Sequence, residues 1–266
     1  MATVELNGHP TWAVVGRGRA PALVLLHGGL SSSRSLRGSI GGRLARDFSV
    51  SAFDRRGHGR TADTDAAFHY ESMVDETVAF LDLLGRRAHL VGHSDGGIVA
   101  LLTARRRPDL VRRVVAVGSN FHVDGVADPA NLTFDGPDFD EWAADFGSRS
   151  PDGPGHARAV ADKSLALFAT EPNLTSSDLA QIATPVLVMV GDDDAVDLAH
   201  TVVLYQSLPV AQLCVVPAAS HGVLKEHPKE CARVITRFLT QRLPPVTRQP
   251  RRRALAEGPE PREARR

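Results

Sequence analysis

Short, unbroken apolar runs alternate along this chain with longer stretches in which apolar residues return at helical spacing. Residues 22–26 (Ala-Leu-Val-Leu-Leu) are apolar throughout, as a strand buried on both faces of a sheet requires. Residues 49–53, 89–91, 111–117, 185–190 and 211–216 read as further strands. Between them, residues 70–84 place Met73, Val74, Val78, Phe80, Leu81 and Leu84 on one helical face, and Gly85 supplies the stop. Residues 33–47, 98–107, 196–207 and 223–242 read as helices too, with Pro108 ending the second of these. At the front, residues 3–6 and 12–15 flank Asn7-Gly8, a dipeptide that closes tight hairpins, so two antiparallel strands lead the chain. Strands alternating with helices imply a mainly parallel sheet covered on both faces, with function at the carboxyl ends of the strands.

The alternation lapses between residues 119 and 182, where prolines, glycines and acidic residues interrupt it and only 138–146 and 156–169 look helical. This predicts a core of residues 1–118 and 183–243, with 119–182 as a helical cap packed over the sheet. Residues 244–266, rich in proline and arginine with almost nothing apolar, read as a disordered tail. A length of 266 residues with 42% hydrophobic and 23% charged residues suits one domain carrying an insertion. Lysine plus arginine equals aspartate plus glutamate at 31 each, which argues against a nucleic-acid partner or an anionic membrane. Cys214 and Cys231 have no metal spacing, and neither a signal peptide nor a membrane span is visible, so the expectation is a cytoplasmic protein with a small-molecule substrate. Oligomeric state is left open.

Candidate chemistry centres on Val-Gly-His-Ser-Asp-Gly-Gly at residues 91–97. Gly92 and Gly96 each stand two residues from Ser94, between a strand and a helix, which is the context of a nucleophile elbow. Such a serine needs a base, and His221 stands after the strand 211–216 in Ser220-His221-Gly222. An orienting carboxylate belongs after the strand 185–190, where Asp192, Asp193 and Asp194 follow Gly191 and are equivalent on spacing alone. His89 and His93 straddle a strand and a turn and do not read as a zinc pair. His27, Asp54 and His58 read as loop-fixing residues.

Together, His27-Gly28-Gly29, Asp54-Arg55-Arg56-Gly57-His58-Gly59, the Ser94 elbow, Gly191-Asp192-Asp193-Asp194 and Ser220-His221-Gly222 resemble the α/β-hydrolase superfamily over residues 3–243. The resemblance implies an eight-stranded, mostly parallel sheet with a helical cap, and selects Asp194 as the acid. It implies an oxyanion hole from the N–H groups of Gly29 and Asp95, with Leu30 the near alternative. It further implies a cofactor-free serine hydrolase acting on carboxylic esters or lactones, with carbon–carbon bond hydrolysis or perhydrolase-like chemistry within the same machinery. A receptor or scaffold that keeps the triad without turnover is the reading from another class. Asp95 has two readings: a carboxylate favoured by the helix dipole, or a receptor for a substrate ammonium, as in the valacyclovirase-like esterases whose Ser-Asp-Gly-Gly elbow this one is similar to. Leu30 and Trp142 join Asp95 as candidate substrate contacts. Phe121, Phe134, Phe139, Trp142, Phe146 and Phe168 suggest either an apolar lid or the cap's own core.

Overall fold

The computed structural model describes residues 2–126 and 133–243; the tail expected from residue 244 onward lies outside them. The strands are β1 (Ala2–Leu6), β2 (His9–Val14), β3 (Ala22–Leu26), β4 (Ser49–Phe53), β5 (Ala88–His93), β6 (Val111–Val117), β7 (Val186–Asp193) and β8 (Ala211–Ser220). They form one eight-stranded sheet in the order β1-β2-β4-β3-β5-β6-β7-β8. Asn7 and Gly8, at φ 50° and 78°, close the β1–β2 hairpin, as a turn with two left-handed central residues demands. β2 also pairs antiparallel with β4, and every later pairing is parallel.

The apolar run in β3 serves both faces at once. Val24 and Leu26 join one cluster with Val74 and Phe80 of α3 (Tyr70–Leu84) and Leu101 of α4 (Asp95–Arg106). Leu23 and Leu25 point the other way, onto Leu36, Ile40 and Leu44 and onto Ile235 and Phe238 of the final helix. A strand period of two and the helical period of the covering elements therefore account for the sandwich.

Departures from the expected boundaries have local causes. Residues 33–47 form α1 (Ser33–Leu36), a π-helical stretch Arg37–Gly41 and α2 (Gly42–Leu44), where Gly38, Gly41 and Gly42 weaken the α preference. Between β6 and β7 the chain forms α5 (Gly136–Gly147), α6 (Ala157–Thr170) and a short α7 (Ser176–Leu179). The last lies outside the two helices expected there and is opened by a reciprocal capping box between Thr175 and Asp178. Phe146, Val160 and Leu167 of this segment belong to the same cluster as α3 and α4. After β7, α8 (Leu198–Ser207) starts at the Asp197 cap. The expected helix 223–242 is broken into α9 (Val223–Glu226) and α10 (Pro228–Thr240), because Pro228 has no N–H to continue α9.

Candidate active site

β5 delivers the chain to Ser94 and α4 carries it away at once, which leaves Ser94 at φ 52° and ψ −122°. A Cβ on Gly92 would run into the carbonyl of Gly96, and one on Gly96 into that of Leu26, so both flanking positions need glycine. The strained residue is bound on both sides. Its N–H donates to the Val117 carbonyl at 2.8 Å, and its own carbonyl accepts from Gly97 N–H at 2.8 Å and Ser119 Oγ at 3.0 Å.

His221 follows β8 directly, and its Nδ1 lies 2.7 Å from Oδ1 of Asp194. Asp194 follows β7; its side chain is 1% exposed, and Val196 N–H donates to the same oxygen at 3.0 Å. Burial pulls the Asp194 carboxyl upward, but the hydrogen bond and charge of His221 and the N–H groups of Val196 and Gly191 outweigh it, so its pKa sits below the ordinary value. An ionised Asp194 fixes the proton on Nδ1 and leaves the Nε2 lone pair free. Asp192 turns to Ala219 N–H at 3.0 Å and Asp193 is exposed. Gly118, at φ 54°, closes this corner: a Cβ there would stand 3.1 Å from both Asp194 Oδ2 and His221 Nδ1.

His93, from the strand end before the serine, sets Nε2 2.7 Å from the His221 carbonyl, with its ring tilted against the His221 ring at 4.8 Å between centroids. A carbonyl only accepts, so His93 is the donor. Burial and the neighbouring His221 lower its pKa to about 4, which keeps it neutral near pH 7.

The turn after β3, His27-Gly28-Gly29, is held from beneath by Arg55. This guanidinium is fully buried and donates to the carbonyls of His27 and, at 3.2 Å, Gly28. Arg55 N–H also donates to His27 Nε2 at 3.1 Å, while His27 Nδ1 donates to the Gly28 carbonyl at 2.7 Å. Gly29 admits no side chain, since a Cβ would strike the Phe168 ring and approach Asp95 Oδ2 at 2.7 Å.

Asp95 is 4% exposed. Its carboxylate accepts from Tyr70 Oη at 3.0 Å and lies 3.9 Å from the Arg55 guanidinium. Burial raises its pKa above the ordinary carboxylate value, against the pull of Arg55 and the Tyr70 bond. The expectation that this side chain faces substrate thus meets a carboxylate with internal partners, outside the described lining of the cavity below.

Ser94 and His221 line one cavity of about 270 Å³, together with Gly28, Gly29 and Leu30. Leu30, Ser31, Ser35, Ser39 and Lys225 are shared with an outer groove of about 780 Å³ beneath α5. Trp142 lines that groove and donates through Nε1 to the Leu30 carbonyl at 2.6 Å, tying α5 to the turn. Phe134, Phe139, Trp142 and Phe146 pack ring against ring, and Phe121 stacks on His200. No site role is expected for Arg55, Tyr70, His93, Gly118 or Lys225 from the sequence; His93 is weighed there only as a zinc ligand and Arg55 only as part of the 54–59 turn. His93 alone had a usable signal, its place inside the elbow.

An eight-stranded, mostly parallel sheet with a strained serine between its fifth strand and the next helix defines the class of the alpha/beta hydrolases. The chain belongs to that family: residues 23–234 match the model described as "Alpha/beta hydrolase family", and the protein is accordingly a hydrolase. It is 31% identical over 244 residues to the "Putative carbamate hydrolase RutD" of Pseudomonas savastanoi pv. phaseolicola, covering 83% of this chain and 94% of that protein. It is 30% identical over 263 residues to the 2-(acetamidomethylene)succinate hydrolase of Mesorhizobium japonicum, covering 87% and 92%. Its fold superposes on the enol-lactonase from Burkholderia xenovorans LB400 with a TM-score of 0.71 at 22% identity, covering 90% and 100%. No helix among the described residues is long and apolar enough to cross a membrane.

Proposed function

We propose that this protein hydrolyses a small-molecule carboxylic ester or lactone through an acyl-enzyme formed on Ser94. The observation that carries the reading is the shared cavity: a serine at φ 52° opens onto the same space as His221, whose Nδ1 is held at 2.7 Å by a buried carboxylate. Ser94 Oγ attacks the carbonyl carbon as His221 Nε2 takes its proton, and Asp194 steadies the imidazolium. The oxyanion is received by the N–H of Asp95, in the first turn of α4 where no intrahelical acceptor exists, and by that of Gly29. Collapse expels the leaving group with the proton from His221; water, deprotonated by the same nitrogen, then releases the acid. No cofactor enters these steps. In this scheme the Asp95 carboxylate braces the Gly29 turn through Arg55 and Tyr70, while Leu30 and Trp142 bound the substrate path.

The names of two relatives, a carbamate hydrolase and a 2-(acetamidomethylene)succinate hydrolase, favour a second reading in which the scissile bond is carbon–nitrogen. The machinery is the same; His221 then protonates nitrogen. A fluorophosphonate probe followed by a substrate panel tests both. The probe is expected to label wild type and not Ser94→Ala. Esters of graded acyl length are expected to turn over faster than matched amides and carbamates. Absence of label on Ser94 defeats the acyl-enzyme, and preferential amide or carbamate cleavage replaces the ester reading with the second.

A further inference from the structure

The cavity around Ser94 is lined among the described residues by glycine, leucine, serine and histidine, and by one lysine side chain, Lys225. Lys225 stands on α9, just beyond His221, and lines both the inner cavity and the outer groove. No described carboxylate lines the inner cavity, and none forms an ion pair with Lys225 among the described residues. Its neighbour Glu226 is committed elsewhere, accepting from Ser220 N–H at 2.8 Å and from Ser220 Oγ. The ammonium charge is felt at His93, where it helps to lower the pKa. Ser31 and Ser35 bring hydroxyl donors to the same wall, whereas Ser39 Oγ donates to its own helix at Leu36.

The outer groove is different in kind. Arg34 and Arg43 face Asp138, Glu141 and Asp145 there, with Asp145 clasped by Arg149, so both signs are present. Among the described residues the inner space is lined by a cation and by no carboxylate. Lys225 is exposed where the inner cavity meets the outer groove; an ammonium there beside hydroxyl donors favours an anion, and a planar carboxylate fills both needs. From this we propose that Lys225 selects a substrate carrying a carboxylate a few bonds from the scissile carbonyl, the ammonium and the Ser31 and Ser35 hydroxyls receiving it. The inference rests on the Ser94 hydrolase reading and adds the substrate's charge class. The small cavity restricts the acid-bearing portion to a short chain.

The test compares 4-nitrophenyl hemisuccinate with 4-nitrophenyl butyrate, which differ in the terminal carboxylate. Wild type is expected to prefer the hemisuccinate in kcat/KM. Lys225→Gln should reduce that preference about 10-fold, mainly through KM, as for one partly exposed charge-assisted contact. Lys225→Arg should retain most of it, which a merely structural role of the lysine would not predict. An unchanged preference in Lys225→Gln overturns the proposal. If neither ester is cleaved, the ester reading fails separately, and the rate of fluorophosphonate labelling at Ser94 with added succinate decides the charge class. Protection of wild type that weakens about 10-fold in Lys225→Gln supports the proposal; no protection, or equal protection in both, overturns it.

Discussion

The catalytic proposal places its strongest demand on a single hydrogen bond, that between His221 Nδ1 and Asp194 Oδ1 at 2.7 Å. An asparagine at 194 can present its amide N–H to Nδ1, which stabilises the tautomer with the proton on Nε2 and removes the base. Asp194→Asn is therefore expected to keep the fold and lose about 10⁴-fold in turnover, the size of the corresponding change in a serine-protease triad. Steady-state rates beside a near-native circular dichroism spectrum would check it; a loss under 10-fold would remove Asp194 from the proposed role. At this scale the sequence was most legible where chemistry dictates residue type and order. Ser94, His221 and the aspartates after Gly191 were visible because few arrangements of those side chains are useful. Arg55 was not, because it stands beside Arg56 in a polar turn. Only the packed turn decides that Arg55 is fully buried under His27 and Gly28 while Arg56 reaches outward to the Ala67 carbonyl at 2.7 Å. Asp95 shows the same limit. Its position in the first turn of a helix was readable, but whether the carboxylate meets solvent or Tyr70 depends on the start of α3, 25 residues earlier in the chain.

Elements were legible in proportion to how far their pattern depends on themselves. α3 presents a continuous apolar face and ends where Gly85 adopts φ 63°, with its N–H bonded to the Asp82 carbonyl. Nothing lies within 4 Å of where a Cβ on Gly85 would go, so a side chain there meets conformational cost without collision. Gly85→Ala is expected to destabilise the protein by about 1 kcal/mol with activity unchanged, and Gly85→Asn by less, since asparagine tolerates the left-handed region. Chemical denaturation midpoints of the three proteins check the order; an alanine variant as stable as wild type would show that the cap conformation carries no such cost. The segments where the reading drifted are those shaped by their neighbours. The helix 33–47 is interrupted by a π turn packed against β3 and α10, and β8 continues past the apolar run to Ser220, with Ala218 at φ 54°, so that His221 reaches Asp194. Three glycines loosen the first of these segments locally, but the shape each segment takes answers to a surface supplied by another part of the chain.

For the molecule as a whole, the burial of neutral histidines links the fold to pH. His27, His58 and His89 are buried and all three have lowered pKa values, chiefly through desolvation. His58 falls to about 3, next to the Arg55 charge, and His89 to about 4, near Arg113, Arg112 and Arg87. The unfolded chain binds protons at these imidazoles near pH 6.5 and the native chain does not, so the stability is complete above that value and is lost as pH falls toward 4. Each contributes a slope of about 1.4 kcal/mol per pH unit, or about 4 kcal/mol per unit for the three, against a total stability of about 5–15 kcal/mol for an ordinary domain. Asp95 and Glu76, whose carboxyls are raised by burial, work in the opposite sense, because the native state protonates them before the unfolded chain does. They are fewer than the lowered histidines. Urea midpoints are therefore expected to decline steeply between pH 7 and pH 5. His89 isolates the cause, since it lies at the Phe48 ring edge, far along β5 from Ser94, and its Nδ1 has no hydrogen-bond partner among the described residues. His93 and His200, also lowered by burial, add to the same decline, and His89→Leu should remove about 1.4 kcal/mol per pH unit of it. Midpoints that stay level from pH 7 to pH 5, or a variant whose slope equals that of wild type, would show that these imidazoles do not govern the acid response.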